Sequence, residues 1–206
     1  MRIRILTPEH SVPGELLLMQ QMLEQENVTL HLRKPHAAPA LYRQILDTID
    51  HRLHHRIVLH GAFELAADYA VQGLHFNSHL RTGTGFETLL HTYAKSSLQL
   101  SSSFHSWQEI IDSGHAFDAV FISPVFDSIS KKGYKAAVKL SDCRAVQQNL
   151  AQKQAGRPLV LGLGGIDRHN ITQLRQNGFD GAVLLGSIWM SKNPVKALQM
   201  LLNSLA

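Results

Sequence analysis

The chain has 206 residues, of which 44% are hydrophobic and 17% charged, with a formal net charge of +4. That length leaves room for a single domain, 1–206, with a sizeable core, and no apolar run approaches the roughly 18 residues of a membrane span, so no membrane partner is expected. The basic residues are scattered and aromatic residues make up only 7%, which gives neither the cationic stripe nor the stacking platform of a nucleic-acid binder.

From the N-terminus, Met1-Arg-Ile-Arg-Ile-Leu6 is too short an apolar segment for a secretory signal and reads as the first strand of a cytoplasmic protein. Short β-type runs then recur: Ile3 to Leu6, Val28 to Leu32, Arg56 to Leu59, Gly73 to Phe76, Leu98 to Ser101, Ala119 to Ile122, Leu159 to Leu161 and Gly181 to Leu185. Helical spacing fills the gaps, with Leu16, Met19, Met22 and Leu23 in the first and Val195, Leu198, Leu201 and Leu205 in the last, stripes that normally pack a core. His51, His54 and His55 read as a solvated helix end without the further ligands a metal site needs. Thr82-Gly-Thr-Gly85 after the fourth strand is either a lid or a linker. Cys143, the one cysteine, lies between Asp142 and Arg144 and reads as structural, with no disulfide framework.

Strand after helix, repeated, implies a parallel sheet. An open doubly wound sheet would carry a glycine-rich turn after its first strand, and here that turn is Thr7-Pro-Glu-His10. The expected fold is therefore α/β, a single (β/α)8 TIM barrel with eight parallel strands and functional groups at the C-terminal strand ends. Two of those ends are glycine turns, Pro158-Leu-Val-Leu-Gly-Leu-Gly-Gly-Ile166 and Gly181-Ala-Val-Leu-Leu-Gly-Ser-Ile188. They fall after strands seven and eight, where such barrels commonly cradle phosphate on backbone N–H groups at helix starts.

The other strand ends are His31-Leu-Arg-Lys-Pro35, Ser101-Ser-Ser-Phe-His-Ser106 and Ser123-Pro-Val-Phe-Asp-Ser-Ile-Ser-Lys-Lys-Gly133. Together with Leu-Gly-Gly-Ile and Asp-Gly-Ala-Val-Leu-Leu-Gly, this ordered set, from about Leu30 to Pro194, resembles the thiamin phosphate synthase and thiazole tautomerase superfamily. The resemblance implies that Ser128, Ser130 and Lys131 contact substrate phosphates and that Gly164, Gly165, Leu185 and Gly186 hold thiazole phosphate. Hydroxyls, an ammonium and free helix N–H groups also suit a phosphate dianion chemically. Arg33, Lys34, His60 and Ser103 complete the expected binding set, and Asp127 is expected to orient a side chain or cap a turn.

Synthases of this superfamily join a pyrimidine diphosphate to thiazole phosphate with magnesium-assisted loss of pyrophosphate. The residues that match their aspartate positions are His60-Gly61 and Asn77-Ser-His-Leu80, whereas magnesium prefers oxygen ligands. Tautomerases of the same barrel move a proton to aromatise the thiazole and carry Ser-x-His-Ser, here Ser103-Phe-His105-Ser106. A proton shift needs an anchor and a group of histidine's acidity rather than a metal. Thus the resemblance favours metal-independent tautomerase-type catalysis by His105 with Lys131, no metal ligands and no cofactor. The synthase reaction, with magnesium, is the alternative, and a non-catalytic sensor of thiazole phosphate or thiamin phosphate is a third reading. Thiazole phosphate, with or without pyrimidine diphosphate, is the expected partner, and a homodimer is open.

Overall fold

Eight parallel strands close in chain order, with the last hydrogen-bonded back to the first. The computed structural model describes residues 1–127, 135–153 and 156–205. The strands are β1 (Arg2–Leu6), β2 (Val28–Leu32), β3 (Ile57–Leu59), β4 (Gly73–Phe76), β5 (Gln99–Phe104), β6 (Ala119–Ile122), β7 (Leu159–Leu163) and β8 (Gly181–Leu184). The expected TIM barrel is therefore the observed one. Strand β5 runs further than its polar sequence implies, because the Ser101 and Ser102 hydroxyls bond to the Leu74 and Phe76 carbonyls of β4. Serines that resemble a loop in sequence are thereby satisfied inside a ladder.

The α-helices are α1 (Glu15–Leu23), α2 (Pro39–Thr48), α3 (Ser78–Arg81), α4 (Phe86–Tyr93), α5 (Trp107–Asp112), α6 (Cys143–Lys153), α7 (Ile171–Gln176), α8 (Gly186–Trp189) and α9 (Pro194–Asn203). Between β3 and β4 the chain makes a 3₁₀ turn, Phe63–Ala67, in place of the α-helix that strict alternation implies. A second, His51–Arg56, corrects the solvated reading of the histidine run. His51 and His55 are exposed, but His54 is buried with Nε2 at the Leu46 and Ile49 carbonyls. Thr82–Gly85 joins α3 to α4, where Gly85 adopts φ 89°.

Strand alternation divides the side chains into two cores. Outward residues such as Ile3, Ile5, Leu30, Leu32, Phe76 and Ile122 pack against Met19, Met22, Leu23, Leu198 and Leu201 of the flanking helices. Inside the barrel, Leu6, Phe121, Ala119, Leu161 and Val183 form a separate apolar cluster from β1 and β6 to β8. The inward positions of β2 to β5 are mostly polar: Thr29, His31, His75, Ser101 and Ser103 lie there with Val58. One half of the lumen is oily and the other is built mainly from imidazoles and hydroxyls.

The N-terminal strand ends are fastened by polar side chains. Asp180 accepts from Arg157 at 2.7 and 2.8 Å, from the Val160 N–H at 2.8 Å and from Gln147 at 3.1 Å. The Trp189 indole donates to the Leu6 carbonyl at 2.9 Å, tying the last turn to the first strand. Among the described residues no helix is long and apolar enough to cross a membrane.

Candidate active site

Where β2 ends, the period-two alternation sends neighbouring cations in opposite directions. Arg33 is half-buried and makes a loose 3.9 Å pair with Glu9, while its backbone N–H bonds to the Thr7 hydroxyl. Lys34 is 2% exposed; its ammonium donates to Glu15 at 2.6 Å and to the Pro8 carbonyl at 3.0 Å. This corrects the expected phosphate role of Lys34: a buried ammonium already paired with a carboxylate is closed to an incoming anion. Arg33 retains a guanidinium at the rim.

Directly below Arg33, three imidazoles meet. His31 Nδ1 lies 2.9 Å from His60 Nε2, and the His60 and His75 rings stack at 4.2 Å between centroids. His31 stands edge-on to both, at 5.1 and 5.6 Å, and Phe121 closes the oily side of the group. Burial, reinforced by neighbouring positive groups, holds His31 and His60 well below the ordinary imidazole range and brings His75 to about 3. Neutral rings follow, because desolvation penalises the charged form. His60, expected at phosphate, is thus bonded to His31 and neutral, and Ser103, also expected there, places its hydroxyl 2.8 Å from His75 Nε2. The expectation that the chain has no metal-ligating group did not anticipate this cluster, in which one ring nitrogen from each residue lies within 4.8 Å of the others.

His105 sits apart, exposed, at the end of β5. Its Nδ1 faces the Ser123 carbonyl at 3.3 Å and its Nε2 faces the Ser78 hydroxyl at 3.4 Å. A carbonyl only accepts, so this arrangement assigns the proton to Nδ1 and leaves the Nε2 lone pair to the Ser78 hydroxyl, which can turn aside for a proton to be taken there. Glu109 accepts the His105 backbone N–H at 3.3 Å and pairs with Arg81 at 3.1 Å, while the Arg81 guanidinium lies 4.0 Å from the Phe104 ring centre. The sequence reading missed Arg81 and Glu109; their link to His105 depends on β4 and β5 being neighbours.

The loop after β6 starts with a cis Ser123–Pro124 bond and runs beside the turn after β7, with Val125 and Phe126 N–H groups bonded to the Leu163 and Gly164 carbonyls. Asp127 accepts the Ala136 N–H at 2.7 Å, so it caps this loop as one of its two expected roles. Ser128, Ser130 and Lys131 lie outside the described residues.

Gly164 and Gly165 have φ 103° and 65°, and a Cβ on Gly165 would collide with Asp127 and Phe126. Glycine is required there for both conformation and space. Asn170 pins the turn by donating to the Gly165 carbonyl at 2.8 Å. After β8, Leu185 and Gly186 start the short helix α8, with Leu185 capping it. Its first-turn N–H groups have no acceptor within the helix, and the Ser187 hydroxyl beside them is buried without a partner.

The magnesium of a synthase does not fit the described ends of β3 and β4. His60 offers nitrogen, and the Asn77 Oδ1 already accepts from Leu80 at 2.8 Å as the cap of α3. A hard cation that holds its water tightly prefers carboxylate oxygen.

Polar side chains and glycine turns gathered at the C-terminal rim of a closed parallel barrel define a (β/α)8 protein of the kind that places its chemistry on strand ends. The chain belongs to the thiamine monophosphate synthase family, whose model matches residues 5–188. It is 29% identical over 150 residues to a thiamine-phosphate synthase of Latilactobacillus sakei, covering 72% of this chain and 62% of that protein. The match thus spans less than two thirds of the curated relative. Its fold resembles the thiamine phosphate pyrophosphorylase of Bacteroides thetaiotaomicron, with TM-score 0.74 and 25% identity over 100% of this chain and 98% of that one. A thiamine phosphate pyrophosphorylase of Pyrococcus furiosus superposes with TM-score 0.72 at 14% identity, covering 100% and 97% of the two chains, a likeness of fold.

Proposed function

We propose that this chain is a thiamin phosphate synthase-type transferase, displacing pyrophosphate from a pyrimidine diphosphate with the nitrogen of thiazole phosphate. The observation that carries this reading is the latch between the loop after β6 and the Gly164–Gly165 turn, within a family match that runs nearly end to end. The latch sets Val125 and Phe126, which precede the Ser128, Ser130 and Lys131 segment in the chain, beside the turn assigned to thiazole phosphate. In this reading Gly165, Leu185 and Gly186 supply backbone contacts to one phosphate. Arg33, held only loosely by Glu9, turns to the diphosphate, which its planar fork suits. His105 accepts or returns a proton at Nε2. No step is assigned to magnesium. The setting is expected to be cytoplasmic, with a homodimer open.

A second reading, tautomerase-type proton transfer on thiazole phosphate alone, is favoured by one specific observation: imidazole and a capped amide stand where a magnesium synthase needs carboxylates. The same phosphate anchor and the same His105 base would serve it. Incubating the protein with pyrimidine diphosphate and thiazole phosphate, and separately with the thiazole tautomer, decides between them. Formation of thiamin phosphate and pyrophosphate supports the synthase reading. Aromatisation without coupling overturns it in favour of the tautomerase, and silence in both assays removes both reactions and leaves the sensor reading.

A further inference from the structure

We propose that His31, His60 and His75 form a binding site for one divalent transition-metal ion of the zinc class, inside the polar half of the barrel lumen. This inference does not rest on the reaction proposed above. The three residues come from the ends of consecutive strands, so barrel closure alone brings them together. One ring nitrogen from each already lies within 4.8 Å of the others, and the His31 Nδ1–His60 Nε2 pair is at 2.9 Å. A tetrahedral ion with bonds of about 2.0–2.1 Å separates its ligands by roughly 3.3 Å, between those two distances, once the stacked His60 and His75 rings turn so that their in-plane lone pairs converge.

A second observation is independent of this spacing. His31 is 2% exposed, yet its Nε2 has no hydrogen-bond partner. Buried polar atoms are overwhelmingly paired, and an orphan calls for a specific cause. An apolar residue would fill the position beside Phe121 without that penalty. An ion held at Nδ1 explains why an imidazole is there instead, because coordination offsets the penalty of the unpaired Nε2.

The surroundings orient the rings as a metal site would. The Ser101 hydroxyl lies 3.2 Å from the Leu74 carbonyl and 2.9 Å from His75 Nδ1. With its proton on the carbonyl, Ser101 accepts from Nδ1–H, which puts the lone pair of His75 on Nε2. That nitrogen now bonds to the Ser103 hydroxyl, which can turn aside. His60, half-buried, provides the entry. Three imidazoles without a carboxylate suit zinc, cobalt, nickel or copper and not magnesium, and three protein ligands leave a coordination position for water or a substrate oxygen.

The test uses untagged protein stripped with a chelator and titrated with Co²⁺, whose visible absorption reports coordination number. The expected result is one equivalent bound with the intense spectrum of a low-coordinate ion, displaced by Zn²⁺ but not by excess Mg²⁺. His60→Gln, at a half-buried position chosen to preserve folding, and His75→Gln should each weaken binding by about 100-fold or more, with circular dichroism verifying the fold. Ser101→Ala should weaken it by about tenfold, as the loss of an orienting partner does. His51→Gln, at an exposed histidine, should change nothing. Absence of stoichiometric binding, a pale six-coordinate spectrum, or affinity unchanged in folded His60→Gln overturns the site.

Discussion

Arg33 and Lys34 are adjacent cations with opposite duties, and substitution should separate them. Removing one partner of a buried ion pair strands the other, so Lys34→Ala is expected to cost about 3–5 kcal/mol in urea unfolding, with KM unchanged. Replacing both partners, Lys34→Met with Glu15→Leu, should recover most of that loss, because burying the pair was itself costly. Arg33→Ala should do the reverse. Stability is retained, and kcat/KM for the diphosphate substrate falls by about 100-fold, the scale of losing one well-placed charged donor. The period-two pattern of an extended chain sends the two to opposite faces, although the sequence reading placed both at phosphate. The meeting of His31, His60 and His75 was not legible in the sequence, because no local spacing connects them; their proximity needs closure and register across three strands.

Strands were easier to read than the links between them. An apolar run buried on both faces announces itself, whereas the 3₁₀ turns at His51–Arg56 and Phe63–Ala67 depend on how much chain the barrel allots to a crossing. The serines of β5 misled for a related reason: their hydroxyls look like loop chemistry until β4 supplies carbonyl acceptors. Helix α6 offers a chemical test of packing. Its first residue, Cys143, is fully buried, and desolvation pushes its thiol up to about 12. The folded value exceeds the unfolded one, so the associated stability is complete below about pH 8.5, the unfolded thiol range, and is lost as pH rises toward the folded value. At pH 8.5 iodoacetamide should label Cys143 in urea but leave the native protein unlabelled over the same interval. Equal labelling rates would show that α6 is not seated as described.

For the whole molecule, the N-terminal end of the barrel carries a fastening that lies away from the rim chemistry. Asp180 joins Arg157, Gln147 and the β7 backbone at the N-terminal end. Asp180→Ala should therefore cost about 2–4 kcal/mol, from lost charged hydrogen bonds and an unpaired arginine. Thermal melts should record that loss, while substrate KM stays unchanged. A change in KM without a change in melting would contradict this division.

Barrel closure also imposes an order on the making of the protein. Strand β1 can meet β2 early, but its other edge waits for β8, and the Trp189 contact to Leu6 spans nearly the entire chain. At a synthesis rate of about 5–20 residues per second, β1 emerges on the order of ten seconds before its second neighbour. During that interval an unpaired strand edge and an oily inner surface are available to other chains. The nascent protein is consequently most exposed to misassociation just before its last eighth or so arrives, and truncation ahead of β8 leaves that vulnerability permanent.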